Sequence, residues 1–231
     1  MTGAYTGQVV PGGPAALRTL DRLEIRKVCV GPMDNNAYLL TCRASGEQLL
    51  VDAAAEASRL VTLVGEGGGG LGLVVTTHGH ADHHGALAEV VAATGAATAA
   101  GAPDIALLPI PSDRALHHGD TLTVGETVLD VIALRGHTPG SVALVHTEPA
   151  DAQAAGSVPG RRHVLTGDSL FPGGVGSTQG DAARFTQLLD DVTERLFDRF
   201  GDDTWIYPGH GADTTLGAER PQLRAWRARG W

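Results

Sequence analysis

Residues Thr77 to Gly85 read Thr-His-Gly-His-Ala-Asp-His-His-Gly. Three imidazoles (His78, His80 and His83) and the carboxylate of Asp82 fall within six residues. Imidazole nitrogen and carboxylate oxygen are the donors of zinc, iron and manganese sites. On an extended segment, side chains two apart share a face, so His78 and His80 can grip one ion together. Asp82 and His83 follow as the chain turns into a helix, and can point to a second ion beside the first. A lone histidine, or two at i and i+2, is ordinary core or surface chemistry. Four donors in six residues are not, because buried imidazoles and a carboxylate without partners are expensive.

Three later turns repeat the arrangement. His137 lies in Arg135-Gly-His-Thr-Pro-Gly140, Asp168 in Leu165-Thr-Gly-Asp-Ser-Leu-Phe171, and His210 in Tyr207-Pro-Gly-His-Gly211. Each has a glycine beside it, which lets the backbone turn sharply and come close to an ion. A single Gly-His is more often only a turn; together the donors match two ions. His78, His80 and His137 make a three-histidine group with an open position, as catalytic zinc keeps. Asp82, His83 and His210 make the second group, and Asp168, with two oxygens, can bridge them. Two adjacent divalent ions lower the pKa of a water held between them, and the resulting hydroxide is a nucleophile at neutral pH. Asp82 can guide that hydroxide as well as ligate. Zinc is the first expectation, and iron or manganese suits the same donors. His84 is either a support for this turn or a plain helix-start residue; His117 and His118 read as exposed.

These donors must be carried by strand ends. Leu71 to Thr76 is an apolar run that reads as a buried strand, and Ala86 to Ala93 as the helix after it. Strands are expected at 23–30, 37–42, 48–52, 96–100, 142–146, 162–166 and 204–207, and a hairpin is expected where 122–124 and 127–134 flank Gly125-Glu126. Helices are expected at 53–64, 103–108, 181–200 and 219–229, the third having Phe185, Leu188, Leu189, Val192, Leu196 and Phe200 on one face. Residues 1–20, rich in Gly and Pro, read as a loose arm before a single domain at 21–231. Residues 149–160 show no periodicity and read as a mobile insertion. Strands alternating with helices in each half suggest two sheets with helices outside.

The set His-x-His-x-Asp-His (78–83), Gly-His-Thr-Pro-Gly-Ser (136–141), Gly-Asp-Ser-Leu-Phe (167–171) and Pro-Gly-His-Gly (208–211) resembles the metallo-β-lactamase superfamily, and within it the glyoxalase II-like hydrolases. The resemblance covers about residues 23–215. It implies an α+β fold, an αββα four-layer sandwich of two mixed sheets with helices outside. It implies a dinuclear site at one edge, with the ligand groups and the Asp168 bridge described above. It implies hydrolysis of a thioester or other small acyl ester. The loop carrying Met33, Asn35 and Asn36 overhangs the metal edge by the same resemblance, and residues 171–178 form another wall, so Met33, Asn36 and Phe171 are candidate substrate contacts. The lactamases that resemble this fold have no aspartate bridge at Asp168, which turns the reading away from them. Glyoxalase II enzymes carry a helical C-terminal extension that helps bind glutathione; 21 residues follow His210 here, so that module is not expected. A sister group, the persulfide dioxygenases, would use one iron held by His78, His137 and Asp168. A lactonase is a third reading, and a non-enzymatic metal scaffold a fourth.

The chain has 231 residues and a formal charge of −9, with one lysine, Lys27. No basic stripe is available to neutralise phosphates, which disfavours nucleic acid and anionic membranes as partners. No apolar run approaches a membrane span, and the start lacks a signal-peptide pattern, so the cytoplasm is the expected compartment. Cys29 and Cys42 read as buried free thiols. The expected partner is a small-molecule substrate; oligomeric state is not legible.

Overall fold

The structure, a computed structural model, describes residues 5–230. Its first sheet has seven strands in chain order: β1 (Ala16–Thr19), β2 (Leu23–Val30), β3 (Asn35–Cys42), β4 (Gln48–Val51), β5 (Leu71–Thr76), β6 (Ala97–Gly101) and β7 (Arg114–Leu116). The first four are antiparallel neighbours joined by short turns. From β4 onward the pairing is parallel. A parallel step needs a crossover, and helices α1 (Ala57–Glu66) and α2 (Leu87–Thr94) supply the first two.

The second sheet holds β8 (Thr121–Val124), β9 (Thr127–Ala133), β10 (Val142–Thr147) and β11 (Arg162–Gly167). A small hairpin, β12 (Leu170–Phe171) with β13 (Gly174–Val175), and helix α3 (Ala182–Val192) come next. Then β14 (Trp205–Pro208), β15 (Thr214–Thr215), α4 (Leu216–Glu219) and α5 (Leu223–Arg229) end the described chain. The sheet order is β15-β14-β11-β10-β9-β8, with only the β11–β14 pair parallel.

Strand alternation sorts the apolar residues into layers. In β3, Tyr38 and Leu40 face the second sheet, where they join Leu129, Val131, Leu144 and Leu165. Ala37 and Leu39 face the other way, under Leu60 and Leu63 of α1 and Leu87 and Val90 of α2. On the second sheet, Ala143, Val145 and Val164 pack against Phe185, Leu188, Leu189 and Val192 of α3 and Trp226 of α5. Three apolar clusters separate four layers, the expected αββα sandwich. α3 starts at Asp181, whose carboxylate accepts from the Ala183 and Arg184 N–H groups, and continues as a π turn over Thr193–Phe197. Among the described residues no helix is long and apolar enough to cross a membrane.

Two expectations need correction. The loose arm is anchored at Tyr5, Gly7 and β1, with exposed residues between them; residues 1–4 lie outside the described ones. β1 is an edge strand on β2, the Tyr5 hydroxyl donates to Asp213 Oδ2 at 2.9 Å, and Lys27 Nζ donates to the Gly7 carbonyl at 2.9 Å. Long-range partners hold a segment whose own composition is that of a linker. Residues 149–160 are likewise tied down. Gln153 and Ala154 N–H donate to Asp21 Oδ1, Ser157 Oγ accepts from Asp21 N–H, and Val158 N–H donates to Glu148 Oε1. Side-chain acceptors satisfy the backbone there, and hydrophobic periodicity is blind to them.

Glu148 also belongs to a polar row between the sheets. His163 contacts Glu148 Oε1 at 2.9 Å and the Tyr207 hydroxyl at 2.8 Å, and His146 stacks on His163 with ring centroids 6.1 Å apart. His146 is buried, and burial, reinforced by His163, pushes it down from 6.5 to about 4. Its folded pKa lies below its unfolded one, so between these values the unfolded chain binds more protons. Stability is full above pH 6.5 and is lost as pH falls towards 4, by about 3 kcal/mol from this residue. His146→Leu is expected to lose about that much less than wild type when urea unfolding at pH 7 and pH 4 is compared. Equal losses in both proteins contradict this.

Candidate metal centre

The donors gather at one edge of the sandwich, on turns that leave strand ends. β5 ends at Thr76; the extended His80 leads into a single 3-10 turn over Ala81–His83, which brings His83 back against His78, with ring centroids 4.1 Å apart. His137 follows β9, Asp168 follows β11 and His210 follows β14. Gly136 at φ 133° makes the turn before His137, where a Cβ would lie 2.5 Å from the Arg184 carbonyl oxygen. The ligand atoms of His78, His80 and His137 lie within 4.8 Å of one another, as do those of Asp82, His83 and His210. Asp168 stands between the groups: Oδ1 is 3.4 Å from His83 Nε2, and Oδ2 is 3.6 Å from the Nε2 atoms of His137 and His210. All seven expected donors are therefore brought together.

The orientation of the rings identifies the chemistry. His83 Nδ1 lies 2.8 Å from Asp52 Oδ2, His137 Nδ1 2.8 Å from the Ser177 carbonyl, and His210 Nδ1 2.9 Å from the Met33 carbonyl. Each acceptor fixes the proton on Nδ1 and turns the Nε2 lone pair inward. His78 Nδ1 is 3.0 Å from Thr77 Oγ1. Inside, His78 Nε2 meets His137 Nε2 at 3.3 Å and His83 Nε2 meets His210 Nε2 at 3.2 Å. Asp168 Oδ1 is buried with no hydrogen-bond donor. Acceptors facing acceptors, with an orphaned carboxylate oxygen among them, fit a cation and little else.

Burial and the surrounding imidazoles hold His78 well below its ordinary value, and burial does the same for His137 despite Asp168. Both are neutral, as ligands must be. Burial alone would lower His83 as well, but Asp52 and Asp168 overcome it and raise it to about 10, so the metal-free ring carries a proton that a bound cation would displace from Nε2. Desolvation pushes Asp82 up, and the Asn35 amide, 2.9 Å from Oδ2, together with His83 brings it below the usual carboxylate range.

Two structural carboxylates escaped the sequence reading. Asp52, directly after β4, takes Thr77 N–H and Oγ1 as well as His83. Its position at a strand end on the ligand rim was the available signal, the same one that marks Asp168. Asp104, in the turn after β6, accepts from Gly79 and Gly140 N–H. Asn36 is corrected: it is 1% exposed, and its amide donates to the Pro208 and Gly211 carbonyls, so it props the His210 turn instead of facing a substrate. Met33, 59% exposed, stays at the rim beside His210. Phe171 lines a cavity of about 330 Å³ with Val175, Ser177, Phe185 and Arg229, next to His137 through Ser177. His84 is buried, its Nε2 3.4 Å from the Gly79 carbonyl, and so supports the turn. His117 and His118 are exposed on the turn before β8, and Cys29 and Cys42 are buried and free.

Comparison with known proteins agrees with this geometry. Residues 30–210 match the family model described as the metallo-beta-lactamase superfamily. The chain is 38% identical over 143 residues to a hydroxyacylglutathione hydrolase of Fuscovulum blasticum, covering 62% of this chain and 51% of that one. It thus spans about half the length of that relative. Against the hydroxyacylglutathione hydrolase GloC of Haemophilus influenzae it is 29% identical over 192 residues, covering 74% and 83% of the two chains. The crystal structure of TTHA1623 in a di-iron-bound form superposes with a TM-score of 0.67 at 30% identity, covering 84% of this chain and 96% of that one.

Proposed function

The chain belongs to the metallo-beta-lactamase superfamily, and we propose that it is a hydrolase of a small thioester or related acyl ester that works with two divalent ions, zinc being the first expectation. His78, His80 and His137 would hold one ion and Asp82, His83 and His210 the other, with Asp168 placed between the two groups. One observation carries this reading: tied Nδ1 atoms aim the Nε2 lone pairs of His83, His137 and His210 inward, beside a carboxylate oxygen without a donor. When bound, the ions supply Lewis acidity and bring the pKa of a coordinated water close to neutral. The protein's own part is orientation and proton holding. Asp82 is a partly exposed carboxylate with one oxygen fixed by Asn35, so it can align the attacking water and take its proton. Met33 and Phe171 flank the centre as apolar walls for the acyl group.

The relatives named hydroxyacylglutathione hydrolase support a thioester as the substrate class. The thiol carrier is a separate matter. The single lysine, Lys27, is fully buried against Asp213 at 2.7 Å, so no lysine amine serves the metal edge and carrier carboxylates fall to arginine or backbone N–H groups. The one-iron dioxygenase reading uses His78, His137 and Asp168, and leaves the convergence of Asp82, His83 and His210 without a purpose. A panel of acyl thioesters, acyl-homoserine lactones and a persulfide, run with an oxygen electrode, tests the proposal. Chelator-sensitive thioester turnover without oxygen uptake is expected. Oxygen consumption by a protein with one iron per chain overturns it.

A further inference from the structure

The three-histidine group is assembled from two loops, residues 77–80 and 136–140, that share no hydrogen bond through their ligands' Nδ1 atoms. We infer that Asp104 is the positioning residue that locks these loops in register and so sets the metal affinity of that group. The inference rests on the metal reading given above. Asp104 is 0% exposed and lies in the 3-10 turn Ala102–Leu107, outside both loops. Its Oδ2 accepts from Gly79 N–H at 2.8 Å, the peptide between His78 and His80. The same oxygen accepts from the hydroxyl of Thr138, the residue after His137, and Oδ1 accepts from Gly140 N–H at 2.7 Å. One carboxylate thus ties the N–H of Gly79, which separates His78 from His80, to the Thr138 hydroxyl and Gly140 N–H that follow His137.

The packing around it leaves no slack. A Cβ on Gly140 would lie 2.6 Å from Asp104 N, a Cβ on Gly101 would lie 1.9 Å from the Gly140 carbonyl oxygen, and a Cβ on Gly79 would lie 2.5 Å from Leu107 Cδ1. Glycine permits each approach, so the loops reach the carboxylate backbone-first. Among the described residues no lysine or arginine pairs with Asp104. Its oxygens are met by neutral donors, two N–H groups and one hydroxyl. Both oxygens are needed as acceptors of N–H. An asparagine of the same shape would turn its own NH₂ towards Gly79 or Gly140 in either orientation.

Calorimetric titration of zinc into the metal-free full-length protein tests this. Wild type is expected to show two sites. Asp104→Asn is expected to weaken one of them by about 10–100-fold and leave the other unchanged. Thr138→Val, which removes the hydroxyl's bonds to Asp104 and Ser141 and keeps the volume, is expected to weaken the same site less, and Thr138→Ser to behave as wild type; these two variants carry the test if Asp104→Asn does not fold. Two unaltered sites in the variants overturn the positioning role alone. Equal weakening of both sites overturns it in favour of a general role in stability. Wild-type protein that takes up no zinc overturns the metal reading and this inference with it.

Discussion

Asp168→Ala is expected to lower turnover of the best thioester by about three orders of magnitude, and to lower the zinc retained after dialysis. The effect is large because Asp168 is the one residue whose two oxygens face both groups, His83 through Oδ1 and His137 and His210 through Oδ2. Its removal leaves neutral imidazoles and a single carboxylate, Asp82, to balance the charge of two divalent ions. A thousand-fold loss corresponds to about 4 kcal/mol, within the several kcal/mol that metal-ion stabilisation contributes. The fold is not at risk in the same measure, since Asp168 Oδ1 has no hydrogen-bond donor to lose. Activity and zinc content within threefold of wild type would show that Asp168 bridges nothing.

The second large effect is expected at Asp52. This carboxylate touches no candidate substrate position, yet it fixes His83 through Nδ1 and holds the start of the ligand turn through Thr77 N–H at 2.7 Å and Thr77 Oγ1 at 2.8 Å. Asp52→Ala frees the His83 ring to change tautomer and leaves buried Thr77 donors unpaired. Zinc affinity of the Asp82, His83 and His210 group is expected to fall by about 100-fold, the upper range for the partner of a ligating histidine. Stability is expected to fall by about 2–3 kcal/mol for the unsatisfied donors. Competition with a chromophoric chelator measures the first and urea unfolding the second. Unchanged zinc affinity together with lost stability would make Asp52 a fold residue only.

The legible parts of this molecule were those with local signals. The ligands stood out because four donors crowd into residues 78–83, and the three others sit beside glycines at strand ends. The layers were legible because β3 and α3 carry their apolar residues at periods of two and 3.6. What escaped depends on contacts distant in sequence. Asp104 reads as one acid in an apolar stretch until the fold brings Gly79 and Gly140 to it. Asn36 reads as a rim residue because the resemblance places its loop over the metal edge; its position in β3 turns it inward to the Pro208 and Gly211 carbonyls. The segment at 5–20 and the loop at 149–160 have the composition of linkers; Lys27 and Asp213 hold Gly7 and Tyr5 of the first, and Asp21 holds the second.

On the proposed reading, hydrolysis by this chain depends on two metal ions held by seven residues. Stripping the protein with chelator and returning zinc stepwise, while thioester hydrolysis and bound zinc are followed together, tests it most directly. The expected result is no turnover in the stripped protein and activity that rises until two zinc ions are bound per chain. Turnover that persists without metal, or a chain that saturates with one ion and shows no hydrolysis, would contradict it.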